Sequence, residues 1–176
     1  MTVWSGAKGS VEEWVDENAP KLAQLSDSIF NFAEPSLREY KSSKLLAGFL
    51  DERGFETQLG VAGLPTAFVS SWGTKGPVFG FMAEYDAIPD RSQKAVPWEE
   101  PTVPSGPGFT DAHNMLGSAS CFGAVAVKEA AEKHGLDLQV RVFGTPAEKL
   151  CVGKPYMARD GLFEGLDAML AWHPGG

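Results

Sequence analysis

Cysteine is nearly absent from this sequence: Cys121 and Cys151 are the only two in 176 residues. Their spacing matches no metal knuckle, and so sparse a use of thiols points to a reducing, cytoplasmic setting. Basic residues are in deficit as well, with 15 Lys and Arg against 23 Asp and Glu and a formal net charge of −8. That balance excludes nucleic acid and anionic membrane surfaces as partners, since both are held by basic patches. No apolar run reaches the roughly 18 residues that a membrane-spanning helix needs. The opening residues, Met1-Thr-Val-Trp-Ser-Gly-Ala-Lys8, lack the continuous apolar core of a signal peptide. Internal repeats and low-complexity tracts are missing too. What is present is 43% hydrophobic content, enough at this length for one domain, residues 1–176, with a substantial core.

Taken in order, Ser10-Val-Glu-Glu13 has the form of a capping box and predicts a helix starting there. Val11, Trp14, Val15, Leu22, Leu25, Ile29 and Phe30 follow at helical spacing, with Pro20 expected to kink or restart the helix. Ser36-Leu-Arg-Glu39 is a second box, ahead of an apolar face of Leu45, Leu46, Phe49 and Leu50 that Gly54 closes. Strands are predicted over residues 55–59, 66–71 and 78–83, the last two joined by the hairpin-like turn Gly73-Thr-Lys-Gly76. Pro97, Pro101, Pro104 and Pro107 make residues 90–108 a loop, long enough to be functional or mobile. A long helix over residues 114–134, ended by Gly135, comes next. A strand over 138–143, a short helix over 154–159 ended by Gly161 and an apolar run over 168–172 complete the chain. Helices on both faces of a mixed sheet, a three-layer α/β fold, are the expected result.

Polar residues stand where such a sheet builds sites, at strand ends around a helix start. Asp111 and His113 lie two apart where the Pro-rich loop opens the long helix. Glu84 and Asp86 flank Tyr85 after the third strand, Glu148-Lys149 follows the fourth, and His173 follows the last apolar run. A hydrolytic metal site wants oxygen and nitrogen ligands from several elements and one carboxylate left free as a base. Asp111, His113 and His173 are candidate ligands and Glu148 the candidate base. Each has a plainer reading: Asp111 a helix cap, Glu84, Asp86 and Glu148 solvated carboxylates, and His173 a residue ahead of a Pro-Gly-Gly tail.

The blocks Phe32-Ala-Glu-Pro-Ser-Leu-Arg-Glu-Tyr-Lys-Ser-Ser43, Ala83-Glu-Tyr-Asp-Ala-Ile-Pro89, His113-Asn-Met-Leu-Gly117, Gly144-Thr-Pro-Ala-Glu148, Tyr156-Met-Ala-Arg159 and Trp172-His-Pro174 are ordered along nearly the whole chain. In that order they resemble the zinc amidohydrolases of the aminoacylase and glutamate carboxypeptidase family, in particular the branch containing p-aminobenzoyl-glutamate hydrolase. The resemblance implies a catalytic domain in which paired metals, zinc or another divalent ion, activate water against an amide bond. It makes Glu148 the general base and His173 a ligand; Asp86 and Lys149 are further candidate catalytic residues, Lys149 as the acid–base neighbour of Glu148. Where that branch has Cys-Gly-His, with two ligands, this chain reads Asp111-Ala112-His113, a harder oxygen replacing sulfur. Where the family has a second Glu as ligand, this chain has Lys149, whose ammonium cannot coordinate and repels a cation. Leu150-Cys151-Val152 replaces the family's Gly-rich run.

The resemblance also implies that this is the N-terminal half of the catalytic domain, with the lid or dimerisation domain and the C-terminal half absent from the sequence. An uncovered half-domain is expected to form a homo-oligomer or to take a partner chain. Three functions stay open. One is an amidohydrolase acting on an N-acyl amino acid or aryl amide through a metal-activated water. Another is a metal-independent enzyme that moves protons on a small molecule with Glu148, Lys149, Asp111 and His113. The last is a non-catalytic pseudoenzyme or subunit.

Overall fold

The computed structural model describes residues 3–174. The first two residues of the opening segment and the closing Gly175-Gly176 lie outside the described residues. Helix α1 (Val3–Phe32) is followed by α2 (Tyr40–Asp51), strands β1 (Glu56–Leu59), β2 (Phe68–Trp72) and β3 (Val78–Ala83), and helix α3 (His113–His134). Strand β4 (Gln139–Gly144), helix α4 (Gly153–Arg159) and strand β5 (Ala168–Leu170) complete the fold. The five strands form one mixed sheet in the order β1-β2-β4-β3-β5. β1 and β2, and β2 and β4, pair antiparallel, whereas β3 runs parallel to both β4 and β5.

Alternation along the strands divides the core in two. Val140 and Val142 of β4 face a large cluster with Ile29 of α1, Leu46 and Leu50 of α2, and Phe122 and Val125 of α3. Phe143, the next residue along the strand, points to the other side and packs with Val61, Leu64, Ala67 and Met157 of α4. The fold is the three-layer α/β arrangement expected, with most of its helix on one face.

Several local expectations are corrected. α1 begins at Val3 rather than at Ser10, and it runs on through Pro20. Ser10 is therefore no cap; its hydroxyl meets His134 Nε2 at 2.9 Å and ties α1 to the far end of α3. The second box fails for a different reason. α2 begins at Tyr40, with no side-chain cap from the residue before it. Its free amides are taken instead by Glu34, whose carboxylate accepts from the N–H of Lys41 at 3.0 Å and of Ser42 at 2.8 Å. Ser36 and Glu39 are thereby free to turn inward.

Nor do β2 and β3 form a hairpin, because β4 lies between them in the sheet. A parallel partner delivered by the α3 crossover outcompetes the local turn. The glycines of that turn answer to close approach: a Cβ on Gly76, at φ +78°, would lie 2.1 Å from the carbonyl oxygen of Asp137, where the chain enters β4.

Candidate active site

Three elements of the sheet side and one helix bring the polar residues together. Beyond β3 the chain stays extended, so Glu84 and Asp86 share one side and Tyr85 takes the other. Tyr85 is fully buried, stacks near Phe68 at 6.0 Å and donates its hydroxyl to Thr66 O at 2.7 Å. α3 brings His113 to the same place. Its first turn lies against the strand end, and a Cβ on Gly117 would meet Glu84 O at 2.5 Å, so only a glycine lets the helix come this close. The residue ahead of α3 is Ala112, in the left-handed region at φ 57°, so Asp111 is not the helix cap. Its side chain is directed to the cluster instead.

Glu148 and Lys149 sit on a single 3-10 turn after β4, bracketed by left-handed Ala147 and Cys151 at φ 55° and 54°. Glu39 holds that turn from behind. Its buried carboxylate accepts the Ala147 N–H at 2.7 Å and the Thr66 hydroxyl at 3.0 Å. Burial pushes the Glu39 carboxyl above its ordinary value, against the lowering effect of these hydrogen bonds.

His113 is the hub. Its ring is fully buried, and Nδ1 lies 2.8 Å from Asp86 Oδ1. The other Asp86 oxygen accepts from Ser36 Oγ at 2.6 Å and from the Lys149 backbone N–H at 3.1 Å. Burial alone would raise the Asp86 carboxyl, but the bonds from His113, Ser36 and the Lys149 amide prevail and hold it below its usual value. With Nδ1–H given to Asp86, the lone pair of Nε2 faces the cluster. Around Nε2 lie Glu84 Oε2 at 3.2 Å, Asp111 Oδ2 at 3.4 Å, Glu148 Oε2 at 3.7 Å and His173 Nε2 at 3.4 Å.

Two cations enter this ring of acids. Lys149 Nζ pairs with Asp111 Oδ2, and it lies 3.1 Å from both Glu148 Oε2 and His113 Nε2. Burial lowers the Lys149 amine, helped by Lys154 and opposed by the charges of Asp86 and Glu84. Lys154 Nζ pairs with Glu84 Oε1.

The plainer reading of Glu84 and Asp86 as solvated carboxylates fails: Glu84 is 6% exposed and Asp86 is fully buried. Glu84 is the site residue that the sequence placed at a strand end but gave no role. The available signal was two carboxylates in phase off the end of a strand whose alternate residue is a buried aromatic. Its Oε2 and Asp111 Oδ1 are the two buried side-chain oxygens without a hydrogen-bond partner among the described residues.

Two groups have the donor atoms for a cation, Glu84–His113–His173 and Asp111–His113–Glu148, each with its atoms within 4.8 Å of one another. The first fits a divalent ion: two imidazole nitrogens and a buried carboxylate oxygen that nothing else engages. In the second, the Lys149 ammonium already reaches all three residues.

No family model matches the chain. Over 165 residues it is 34% identical to a subunit of the p-aminobenzoyl-glutamate hydrolase of Escherichia coli, a match covering 93% of this chain and 34% of that protein. It is 29% identical over 178 residues to the human Xaa-Arg dipeptidase, covering 92% and 37%. The chain thus spans about a third of the length of these curated relatives. Its fold matches the YXEP protein of Bacillus subtilis, described as a dinuclear metal binding peptidase, with a TM-score of 0.72 at 22% identity over 89% of this chain and 43% of that one. The order of the motifs, the mixed sheet and a similarity running through nearly all of the sequence support one family for this chain, that of the M20 amidohydrolases.

Proposed function

We propose that this chain carries the reacting groups of an amidohydrolase, cleaving the amide bond of a small N-acyl amino acid, aryl amide or dipeptide. The observation that carries the reading is the position of Glu148, its Oε2 3.7 Å from His113 Nε2 and beside the Glu84–His113–His173 group. Glu84, His113 and His173 would hold a divalent ion, zinc being suited to two imidazoles and a carboxylate. Such an ion, when bound, supplies Lewis acidity toward the amide carbonyl and toward water. The protein's own residues do the rest. Glu148 accepts a proton from the attacking water at Oε2 and returns it to the leaving nitrogen. Asp86 positions His113 by accepting from Nδ1 and so keeps the Nε2 lone pair directed at the cluster. Lys149 supplies positive charge next to the developing oxyanion.

The names of the relatives guide the substrates to try. Purified protein supplied with zinc is expected to release p-aminobenzoate from p-aminobenzoyl-glutamate, or arginine from an Xaa-Arg dipeptide. No release from either series, with ion bound, would sink the reading. The metal-independent alternative is favoured by one contact, the Lys149–Glu148 pair at 3.1 Å; turnover that survives exhaustive chelation is its signature. A cytoplasmic location is proposed on the two free cysteines, Cys121 and Cys151. Among the described residues, no helix is long and apolar enough to cross a membrane.

A further inference from the structure

The two candidate cation groups share His113 but differ in what already occupies them. An ammonium has three N–H donors, and those of Lys149 are matched by three acceptors: Asp111 Oδ2, Glu148 Oε2 and His113 Nε2. These are the residues of the second group, so each of them already meets the side chain's own charge, although Asp111 Oδ1 stays without a hydrogen-bond partner. The first group is different. Lys154 engages Glu84 through Oε1 alone, leaving Oε2 buried, without a hydrogen-bond partner and 3.2 Å from His113 Nε2. His173 Nε2 lies 4.0 Å from the same oxygen. A buried acceptor left bare costs stability unless something binds it.

We propose that the Lys149 ammonium serves as an internal cation in the Asp111–His113–Glu148 group, so that this chain takes one divalent ion, on Glu84, His113 and His173, and not two. An ion on His113 Nε2 uses the lone pair that Lys149 otherwise contacts, and the ammonium then keeps its two carboxylates. A second ion would have to displace the ammonium from Asp111 Oδ2 and Glu148 Oε2, the oxygens it would itself need, against a like charge. The proposal rests on reading this cluster as a metallohydrolase site, but its test does not use turnover.

Metal-free protein is dialysed to equilibrium against zinc, and bound metal is counted by atomic emission; cobalt absorption reports the ligand set. The parent is expected to bind one ion, and Glu84→Gln to lose it. Lys149→Glu, which exchanges the ammonium for a carboxylate, is expected to bind two. Lys149→Met, of similar volume, is expected to tighten a second ion by at least about a hundredfold; circular dichroism verifies folding of each variant. Two ions in the parent, none in the parent, or no second ion in either folded Lys149 variant overturns the proposal. One bound ion without any amide cleavage would defeat the hydrolase reading and leave this one standing.

Discussion

His113 and Asp86 are both fully buried and meet at 2.8 Å between Nδ1 and Oδ1, one strand end fixing the imidazole carried by the first turn of α3. Asp86→Asn keeps the size of this contact but gives His113 Nδ1 an amide that can present a donor where an acceptor was. We expect metal affinity and turnover to fall roughly 10- to 100-fold, the usual cost of losing the carboxylate behind a ligating histidine. Cobalt titration and steady-state kinetics measure the two effects. If both stay within twofold of the parent, Asp86 does not position His113.

Glu148→Gln preserves shape and removes basicity. A loss of about a hundredfold or more in amide turnover is expected for a general base, with the thermal midpoint nearly unchanged. The bound-ion count should also hold, because Glu148 lies outside the Glu84–His113–His173 group. Turnover within a few-fold of the parent would move the chemistry to another residue.

Glu39 provides a test by pH. Its folded-state carboxyl is raised by burial, so the folded protein holds that proton more tightly than the unfolded chain does. The resulting stability is fully present below the ordinary carboxyl value, about 4.5, and is lost as pH rises through the raised folded value. Glu39→Gln can still accept the Ala147 N–H and can donate to Thr66 Oγ1, but it does not titrate. The parent's stability relative to this variant should therefore decline as pH rises from about 4 through that window. Urea denaturation of both proteins across the range gives the comparison, and a difference independent of pH would contradict it.

The free edge of β5 gives the fourth prediction. Among the described residues β5 pairs with β3 on one side only, and Leu170 at its end and Trp172 just beyond are exposed. Open apolar edges are normally paired or shielded. Light scattering is expected to detect self-association that Leu170→Lys weakens. A clean monomer at high concentration, unchanged by the substitution, would refute this role for the edge.

Much of the architecture was legible along the chain. Short patterned runs marked the strands, residues 138–143 by alternation, and the Ala-rich stretch ended by Gly135 marked α3. The ordered motifs likewise placed Asp111, His113, Glu148 and His173 in one neighbourhood. Local codes failed where a distant partner made a stronger offer. The Ser10 and Ser36 boxes were spent on His134 and Asp86, and the Gly73–Gly76 turn lost its hairpin to β4. The chain alone also determined that a lysine stands beside Glu148. Only the tertiary structure decided what that lysine does, since its three N–H groups meet acceptors separated by 36 and 38 residues as well as its neighbour. It decided Glu84 in the same way: burial and the absence of a partner for Oε2 come from α3 packing onto the end of β3, and no pattern confined to residues 84–86 contains that packing.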